Sequence, residues 1–410
     1  MILYLIIIIS TGGYLFDLVL EVLNYRSRKT DIPAEVAAFY DREKYLKSLE
    51  YHSVKTKFSF VSGAFSFLIS ISMLIFGGFG YVDSLLRPYF QNETALALVF
   101  FGVILVASDI LSLPFQLYST FVIEERFGFN KTTKGTFIAD KVKGYIIGGI
   151  IGAALLSALK FLVNKSGPNF WIWFGVVASA FILFINMFYA SWILPLFNKL
   201  TILPDGDLKS AIEGFSKKVS FPLDNIFVMD GSKRSSKANA FFSGIGGKKK
   251  IVLYDTLISN HTTEELVAVL AHEVGHFKKK HIILSMVLSV VQIFFVLFIL
   301  SLMIFNSDLS VALGGAQQSI HLNLIAFAIL FSPISAVTGL LMSLLSRKNE
   351  YEADAYARET YSGVALGDAL KKLSVDTLSD LYPHPAYVFF HYSHPTLLQR
   401  LEALKGNGIS

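Results

Sequence analysis

Seven apolar stretches restrict this chain to folds that cross a membrane. A helix needs about 20 mostly apolar residues to span the hydrocarbon core of a bilayer. The composition agrees, because only 16% of the 410 residues are charged, whereas a soluble domain carries about a quarter. We therefore expect a mainly α, polytopic membrane protein with seven transmembrane helices. The predicted spans are 2–24, 59–82, 95–119, 144–164, 170–197, 281–306 and 321–346.

The loops between these stretches alternate in their content of Lys and Arg. Loops 25–58, 120–143 and 198–280 are rich in both, whereas 83–94 holds one such residue and 307–320 holds none. Cytoplasmic loops carry the excess of basic residues, so the pattern predicts an extracytoplasmic N-terminus and a cytoplasmic C-terminus. The membrane topology accounts for the basic residues behind the net charge of +5. We therefore expect no nucleic-acid partner.

The segment His272-Glu273-Val274-Gly275-His276 predicts a metal site at a cytoplasmic membrane boundary. Histidines four residues apart lie on one face of a helix, so both imidazoles can bind one ion. Glu273 lies next along the turn, where it can act as general base without binding the metal. The chain has no cysteine, so histidines and carboxylates must supply the ligands. This donor set favours zinc.

The helix that carries this segment has a strong start signal. Thr262 and Glu265 have the spacing of a capping box, in which each residue bonds the other's backbone. Two antiparallel spans, 281–306 and 321–346, then return the chain to the same membrane face. The third ligand is expected directly after them, where Glu350 and Asp354 lie four residues apart on one helix face. One carboxylate can bind the metal while the other accepts an imidazole N–H.

Several motifs, taken together and in this order, resemble the type I CAAX prenyl proteases, which are integral membrane zinc metallopeptidases. Beyond the two zinc motifs, family-like stretches include 113–130 and 231–235, and the resemblance covers essentially the whole chain. It implies a barrel-like arrangement of helices around a chamber. It also implies that the catalytic part is a zincin-like cytoplasmic domain with a small β-hairpin or sheet, and that the enzyme removes the last three residues of prenylated CAAX sequences.

The resemblance also implies roles for single residues. Glu350 is expected as the third ligand of one Zn²⁺, with Asp354 bonded to a zinc histidine and Arg400 supporting the site. His394 is expected to stabilise the oxyanion; the alternative is that it caps a helix beginning near Thr396. A substrate-pairing edge strand is expected at Asn239, Ala240 and Phe241, followed by Phe242. One departure is Lys237, where the family often carries histidine.

We expect four parts in the chain. Residues 1–197 hold spans one to five, 198–280 the edge strand and zinc helix, 281–346 spans six and seven, and 347–410 the third ligand. The expected partners are a peptide or protein substrate, possibly with a prenylated C-terminus, and membrane lipid. The oligomeric state and the type of membrane stay open.

Two other functions remain compatible with the residues. One is a quality-control protease like the HtpX group, whose members are shorter and have fewer spans. The other is a membrane scaffold or transporter with a purely structural zinc site. Such a site has no need of a base like Glu273 beside an open metal position.

Overall fold

The computed structural model describes residues 1–243 and 249–406, most of which are helical. The described residues form fifteen α-helices: α1 Ile2–Arg26, α2 Arg42–Ile75, α3 Gly78–Leu86, α4 Glu93–Tyr118, α5 Lys134–Ser166, α6 Phe170–Phe188, α7 Asp207–Lys218, α8 Asp255–Asn260, α9 Thr263–Lys278, α10 His281–Met303, α11 Ser307–Ala312, α12 Ile320–Ala357, α13 Gly363–Asp376, α14 Pro385–His391 and α15 Leu397–Leu404.

Six helical segments among the described residues are long and apolar enough to cross a membrane, against seven predicted spans. The difference arises in one segment, Lys134–Leu196. It contains both α5 and α6, which are separated by a short 3-10 turn at Gly167–Asn169. The fourth and fifth predicted spans both lie within it, because the turn scarcely interrupts the helical run. The prediction of a polytopic helical protein is confirmed.

The long helices, together with the short helix α3, form a closed ring. Contacts run from α1 through α2, α3, α4, α5, α6, α10 and α12, and α12 packs again on α1. Only 6% to 17% of the residues in the most apolar part of each span are buried. A helix in a packed bundle buries one whole stripe of its surface. The low burial therefore agrees with the expected barrel-like ring around an open space.

A small four-stranded sheet lies outside the ring, with the strand order β1-β2-β4-β3. The strands are β1 Leu200–Ile202, β2 Leu223–Met229, β3 Ala240–Ser243 and β4 Lys249–Tyr254. Strands β2 and β4 are parallel, and the other pairs are antiparallel. The antiparallel pairing of β3 with β4 confirms the expected small β-hairpin, while residues 244–248 between the two strands lie outside the described residues.

The sheet and the metal-motif helix share one hydrophobic core. Buried side chains of β4, including Ile251 and Leu253, pack with Leu266, Leu270 and Val274 of α9. This core also includes residues of α7 and α13. Helix α9 is thereby held against the sheet, and α10 begins only a few residues after α9 ends.

Helix α12 runs without a break through the predicted span 321–346 and beyond it to Ala357. Glu350 and Asp354 therefore lie on the continuation of a membrane-spanning helix. The two helices that carry the metal motifs, α9 and α12, pack closely against each other.

Candidate active site

Helix α9 presents the motif residues as the sequence predicts. Thr262 is its N-cap, and the reciprocal side-chain bonds of Thr262 and Glu265 form the expected capping box. The helix is buried along most of its length. His272 is 6% exposed, whereas His276 is only partly buried. Since burying polar groups costs free energy unless they are paired, the partners of these imidazoles define the site.

Three potential metal ligands meet between α9 and α12. The ligand atoms of His272, His276 and Glu350 all lie within 4.8 Å of one another. The Nε2 atoms of the two imidazoles are 3.2 Å apart. The Glu350 carboxylate lies 3.5 Å from Nε2 of His272 and 3.3 Å from Nε2 of His276. The structure thus brings together the three residues predicted as ligands, and two imidazoles with one carboxylate suit a divalent transition metal.

Asp354 holds His272 from the side away from this cluster, and Arg400 contacts both Asp354 and, from Nη1 at 3.4 Å, Oε2 of Glu350. Nδ1 of His272 lies 2.8 Å from Oδ1 of Asp354. Arg400 donates to both oxygens of Asp354, from Nε at 2.8 Å and from Nη2 at 2.6 Å. An ionised carboxylate can only accept, so the imidazole proton lies on Nδ1. This tautomer leaves the Nε2 lone pair free for a metal.

A second chain of contacts orients His276, and the sequence reasoning missed it. Nδ1 of His276 is 3.0 Å from Nδ1 of His281. Nε2 of His281 is in turn 3.1 Å from Oε2 of Glu352. When Nε2 of His276 is kept for a metal ion, the ring proton lies on Nδ1, and proton donation then runs from His276 to His281 and on to Glu352. The available signal was a histidine at the first position of an apolar span, which we interpreted only as the membrane boundary.

Glu273 lies beside the cluster, next to His272 along α9. It makes no hydrogen bond or ion pair with any side chain that the structure describes. Burial raises the pKa of its carboxyl group above the ordinary value, although the neighbouring imidazoles of His272 and His276 act in the opposite direction. A carboxyl group with a raised pKa is a stronger base when it is ionised.

His394 reaches the same cluster from the C-terminal part of the chain. Its Nε2 is 3.4 Å from Oε1 of Glu350, and its side chain is 62% exposed. Nδ1 contacts Oγ of Ser393 at 3.0 Å. The alternative that His394 caps the next helix is wrong, because Thr396 is the N-cap of α15 and forms a capping box with Gln399.

Strand β3 lies at the edge of the sheet. It pairs with β4 through Ala240 opposite Leu253 and Phe241 opposite Val252, and its other side has no strand partner among the described residues. Asn239 precedes the strand and is exposed. An edge strand offers unpaired backbone groups to an extended peptide. The strand predicted to pair with substrate thus has a free edge.

A cavity of about 680 Å³ links these features. His394 and Arg400 line one part of it, and Lys237 and Ala238, directly before β3, line another. The volume lies in the range of pockets that bind ligands, about 300–1,000 Å³. Since His394 and Arg400 both contact Glu350, the cavity adjoins the metal cluster as well as the segment that leads into the edge strand.

A polar network at this cavity joins three distant segments and was also missed. The Tyr51 hydroxyl donates to Oε1 of Glu124 at 2.7 Å. Lys237 donates to the Tyr51 hydroxyl and to Oε2 of Glu124, both at 3.1 Å. Lys55 lies 3.3 Å from the same hydroxyl. The sequence around Glu124 did not indicate this network, because Tyr51, Lys55 and Lys237 lie far away along the chain.

Comparison with known proteins identifies the family. Residues 203–407 match the sequence profile of peptidase family M48. Residues 21–199 match the profile described as CAAX prenyl protease N-terminal, five membrane helices. The chain belongs to the M48 peptidase family. It is an integral, multi-pass membrane metallopeptidase, and it acts on peptide or protein substrates.

Similar proteins span the full length of this M48 peptidase. It is 37% identical over 402 residues to the CAAX prenyl protease 1 homolog of Arabidopsis thaliana, covering 96% of this chain and 95% of that protein. It is 34% identical over 423 residues to CAAX prenyl protease 1 of Saccharomyces cerevisiae, with 96% and 93% covered. The crystal structure of S. mikatae Ste24p matches with a TM-score of 0.93 at 33% identity, covering 98% of this chain and 99% of that one. The HtpX-like alternative implies a shorter protein with fewer spans, and the match to the N-terminal membrane-helix profile argues against it.

Proposed function

We propose that this protein is a zinc metalloendopeptidase that removes the C-terminal tripeptide of CAAX-type, prenylated substrates. The cluster of His272, His276 and Glu350 within 4.8 Å carries the proposal. A catalytic zinc site uses three protein ligands and keeps a further position open, and this donor set and spacing fit zinc. When bound, zinc supplies Lewis-acid polarisation of the scissile carbonyl and a more acidic water.

Glu273 is the general base in this proposal. It takes a proton from the attacking water and delivers it to the leaving amine. Its position beside the two imidazoles, without a partner among the described side chains, leaves its oxygens available for both transfers. A well-placed acid–base group contributes about 10²- to 10⁴-fold to the rate.

The surrounding residues hold this geometry. Asp354 fixes the tautomer of His272, and Arg400 neutralises Asp354 through its two hydrogen bonds. His394, when protonated, offers an N–H to the oxyanion beside Glu350. One such donor is typically worth about 3 kcal/mol of transition-state stabilisation.

The substrate backbone is proposed to pair with the free edge of β3 at Asn239, Ala240 and Phe241. The full-length relatives named CAAX prenyl protease 1 support the CAAX assignment. The basic loops support a cytoplasmic metal site and C-terminus with an extracytoplasmic N-terminus. We retain the four predicted parts, 1–197, 198–280, 281–346 and 347–410, as a proposed division of the chain.

Metal analysis together with a cleavage assay tests this function. The purified protein should contain one zinc ion per chain, lose activity with a chelator and regain it with zinc. The Glu273→Gln variant should keep its zinc and lose turnover by about 10²- to 10⁴-fold. A metal-loaded Glu273→Gln protein with normal turnover would contradict the proposed base, and absence of zinc would contradict the proposed metal.

A peptide panel with and without a prenyl group tests the substrate class. Each CAAX peptide should be cleaved faster when its cysteine is prenylated, because the lipid adds apolar area to bury. Equal rates for the paired peptides would argue against prenylated substrates while leaving the peptidase function intact.

A further inference from the structure

Two lysines and one glutamate surround the Tyr51 hydroxyl in the wall of the large cavity. Lys55 and Lys237 both line the cavity. Glu124 is the carboxylate they share: Lys237 lies 3.1 Å from its Oε2 and Lys55 lies 3.7 Å from its Oε1. The Glu124 side chain is 20% exposed, whereas those of Lys55 and Lys237 are 48% and 35% exposed. The cations thus face the open space more than the anion does.

The hydrogen bonds of this group leave unused donors. The Tyr51 hydroxyl donates to Glu124 and accepts from both lysines, which uses its one proton and its two lone pairs. Each ammonium has three donors. Lys237 uses two of them, on Tyr51 and Glu124, and Lys55 uses one, on Tyr51. Three N–H donors therefore remain available for a ligand.

The charges point to an anionic ligand. Two cations against one carboxylate leave an excess of one positive charge at this wall. Asp380 also lines the cavity, but it lies in electrostatic range of the Arg28 guanidinium and accepts from the backbone N–H of Tyr382. At the other part of the cavity, Arg400 is paired with Asp354. The Lys55–Lys237 pair is thus the wall with uncompensated positive charge.

We propose that Lys55 and Lys237 bind the free C-terminal carboxylate of the substrate, with Tyr51 and Glu124 positioning them. This proposal rests on the peptidase function proposed above. A carboxylate has two oxygens that accept charge-assisted hydrogen bonds, which matches the three free donors. The cavity wall holds the lysine pair and also His394 and Arg400, both of which contact Glu350. Lys237 belongs to the segment that leads into the edge strand.

The position of Lys237 sets the direction of the substrate. It lies two residues before Asn239, so the carboxylate end of a peptide lying along β3 is held at the N-terminal end of that strand. The scissile bond then lies towards His394 and the metal ligands, and the residues between the bond and the carboxylate occupy the cavity. A fixed anchor at one end and the reactive groups at the other determine the length of the released fragment.

Paired peptides test the carboxylate site. A CAAX peptide with a free C-terminus is compared with its C-terminal amide, which keeps the shape and removes the charge. The wild-type protein should prefer the acid by roughly 10- to 100-fold in kcat/KM, because a hydrogen bond to a charged group contributes about 1.5–3 kcal/mol. Most of this preference should lie in KM.

Single substitutions to methionine should reduce that preference. Lys237→Met and Lys55→Met should each lower the acid-to-amide ratio in kcat/KM, and the double variant should bring this ratio near one. Lys55, which is half exposed, is the safer change for folding. Lys47, an exposed lysine two turns earlier on α2, provides the matched control, and Lys47→Met should keep the wild-type ratio.

Binding to the Glu273→Gln protein gives a readout that does not require turnover. A fluorescent pentapeptide acid should bind it more tightly than the amide, and the lysine variants should remove the difference. Equal binding of acid and amide, or a ratio that survives the double substitution, overturns the proposal. Cleavage of neither peptide by the zinc-loaded wild type counts against the peptidase function, while the binding ratio still decides the carboxylate site.

Discussion

Gly275 lies directly against Ala353, the residue that precedes Asp354 on α12. A Cβ atom at position 275 would lie 3.0 Å from Cα of Ala353 and 3.1 Å from its carbonyl oxygen. Such contacts with backbone atoms are too short to be relieved by a side-chain movement. The glycine inside the metal motif therefore sets the distance between α9 and α12, and with it the distance from the two imidazoles to Glu350.

Replacing Gly275 with alanine should weaken metal binding. The added methyl group pushes α12 away by a few tenths of an ångström, which moves Glu350 relative to His272 and His276. We expect lower zinc affinity, measured by titration against a competing chelator. The matched control is Gly339→Ala, since Gly339 on α12 has nothing within 4 Å of its Cβ position. Equal affinity in both variants would show that the helix spacing does not set the site.

Removing Asp354 should lower the zinc affinity about 10- to 100-fold, as is typical for residues that orient a ligating histidine. Asp354→Ala leaves Nδ1 of His272 without its acceptor and Arg400 without its main partner. The measurement is again a chelator competition. Asp368→Ala, which removes a carboxylate paired with Lys371 on α13, should leave the affinity unchanged. An unaltered affinity in Asp354→Ala would contradict the role of this hydrogen bond.

His281 should act on His276 as Asp354 acts on His272, but more weakly. His281→Ala removes the acceptor for Nδ1 of His276, and we expect a decrease of about 10-fold in zinc affinity, at the lower end of such effects. Glu352→Gln keeps an oxygen acceptor for His281, so it should have a smaller effect. If Glu352→Gln weakens zinc binding as much as His281→Ala, the hydrogen bonds from His276 through His281 to Glu352 act through the charge of Glu352 and not by orienting His276.

Asp83→Asn should destabilise the membrane part. Asp83 is 2% exposed and bonds His321, which is fully buried, at 2.7 Å, and Arg87 at 2.9 Å. Removing one charged partner of a buried pair lowers the free energy of unfolding by about 3–5 kcal/mol. The midpoint of thermal unfolding in detergent should therefore fall clearly. The control is Asp205→Asn, because Asp205 is solvent-exposed in its ion pair with Lys209, so the unfolding midpoint should hardly change. Equal shifts of the midpoint in Asp83→Asn and Asp205→Asn would refute the prediction.

The sequence predicted the parts of the site that depend on spacing within one element. The capping box of Thr262 and Glu265 and the shared helix face of Glu350 and Asp354 both follow from the helical period. The proximity of α9 and α12 followed from topology, because the antiparallel spans 281–306 and 321–346 return the chain to the membrane face that it left. The count of spans differed, since a three-residue turn joins α5 and α6 into one helical segment.

The contacts that the sequence did not predict are of two kinds. Some join segments that are far apart along the chain, and others involve a residue whose position already has a simpler explanation. Nothing local shows that Tyr51, Glu124 and Lys237 meet, because no period or spacing relates two separate helical segments and the approach to a strand. His281 follows three lysines at a membrane boundary, which explains its position without a partner. Side-chain contacts of this kind require the tertiary structure.

Helix α12 extends through the membrane and carries the proposed metal ligand Glu350 beyond it. His321 near its start and Glu350 are about 44 Å apart along the axis, at 1.5 Å per residue. The other two ligands belong to α9, which the core of the sheet holds in place. A spanning helix changes its tilt when the hydrocarbon layer becomes thicker or thinner. Because the sheet core also holds α9, such a change in α12 strains the contact between α9 and α12. The catalytic rate should therefore depend on the acyl-chain length of the surrounding lipid, even for a peptide that never enters the bilayer.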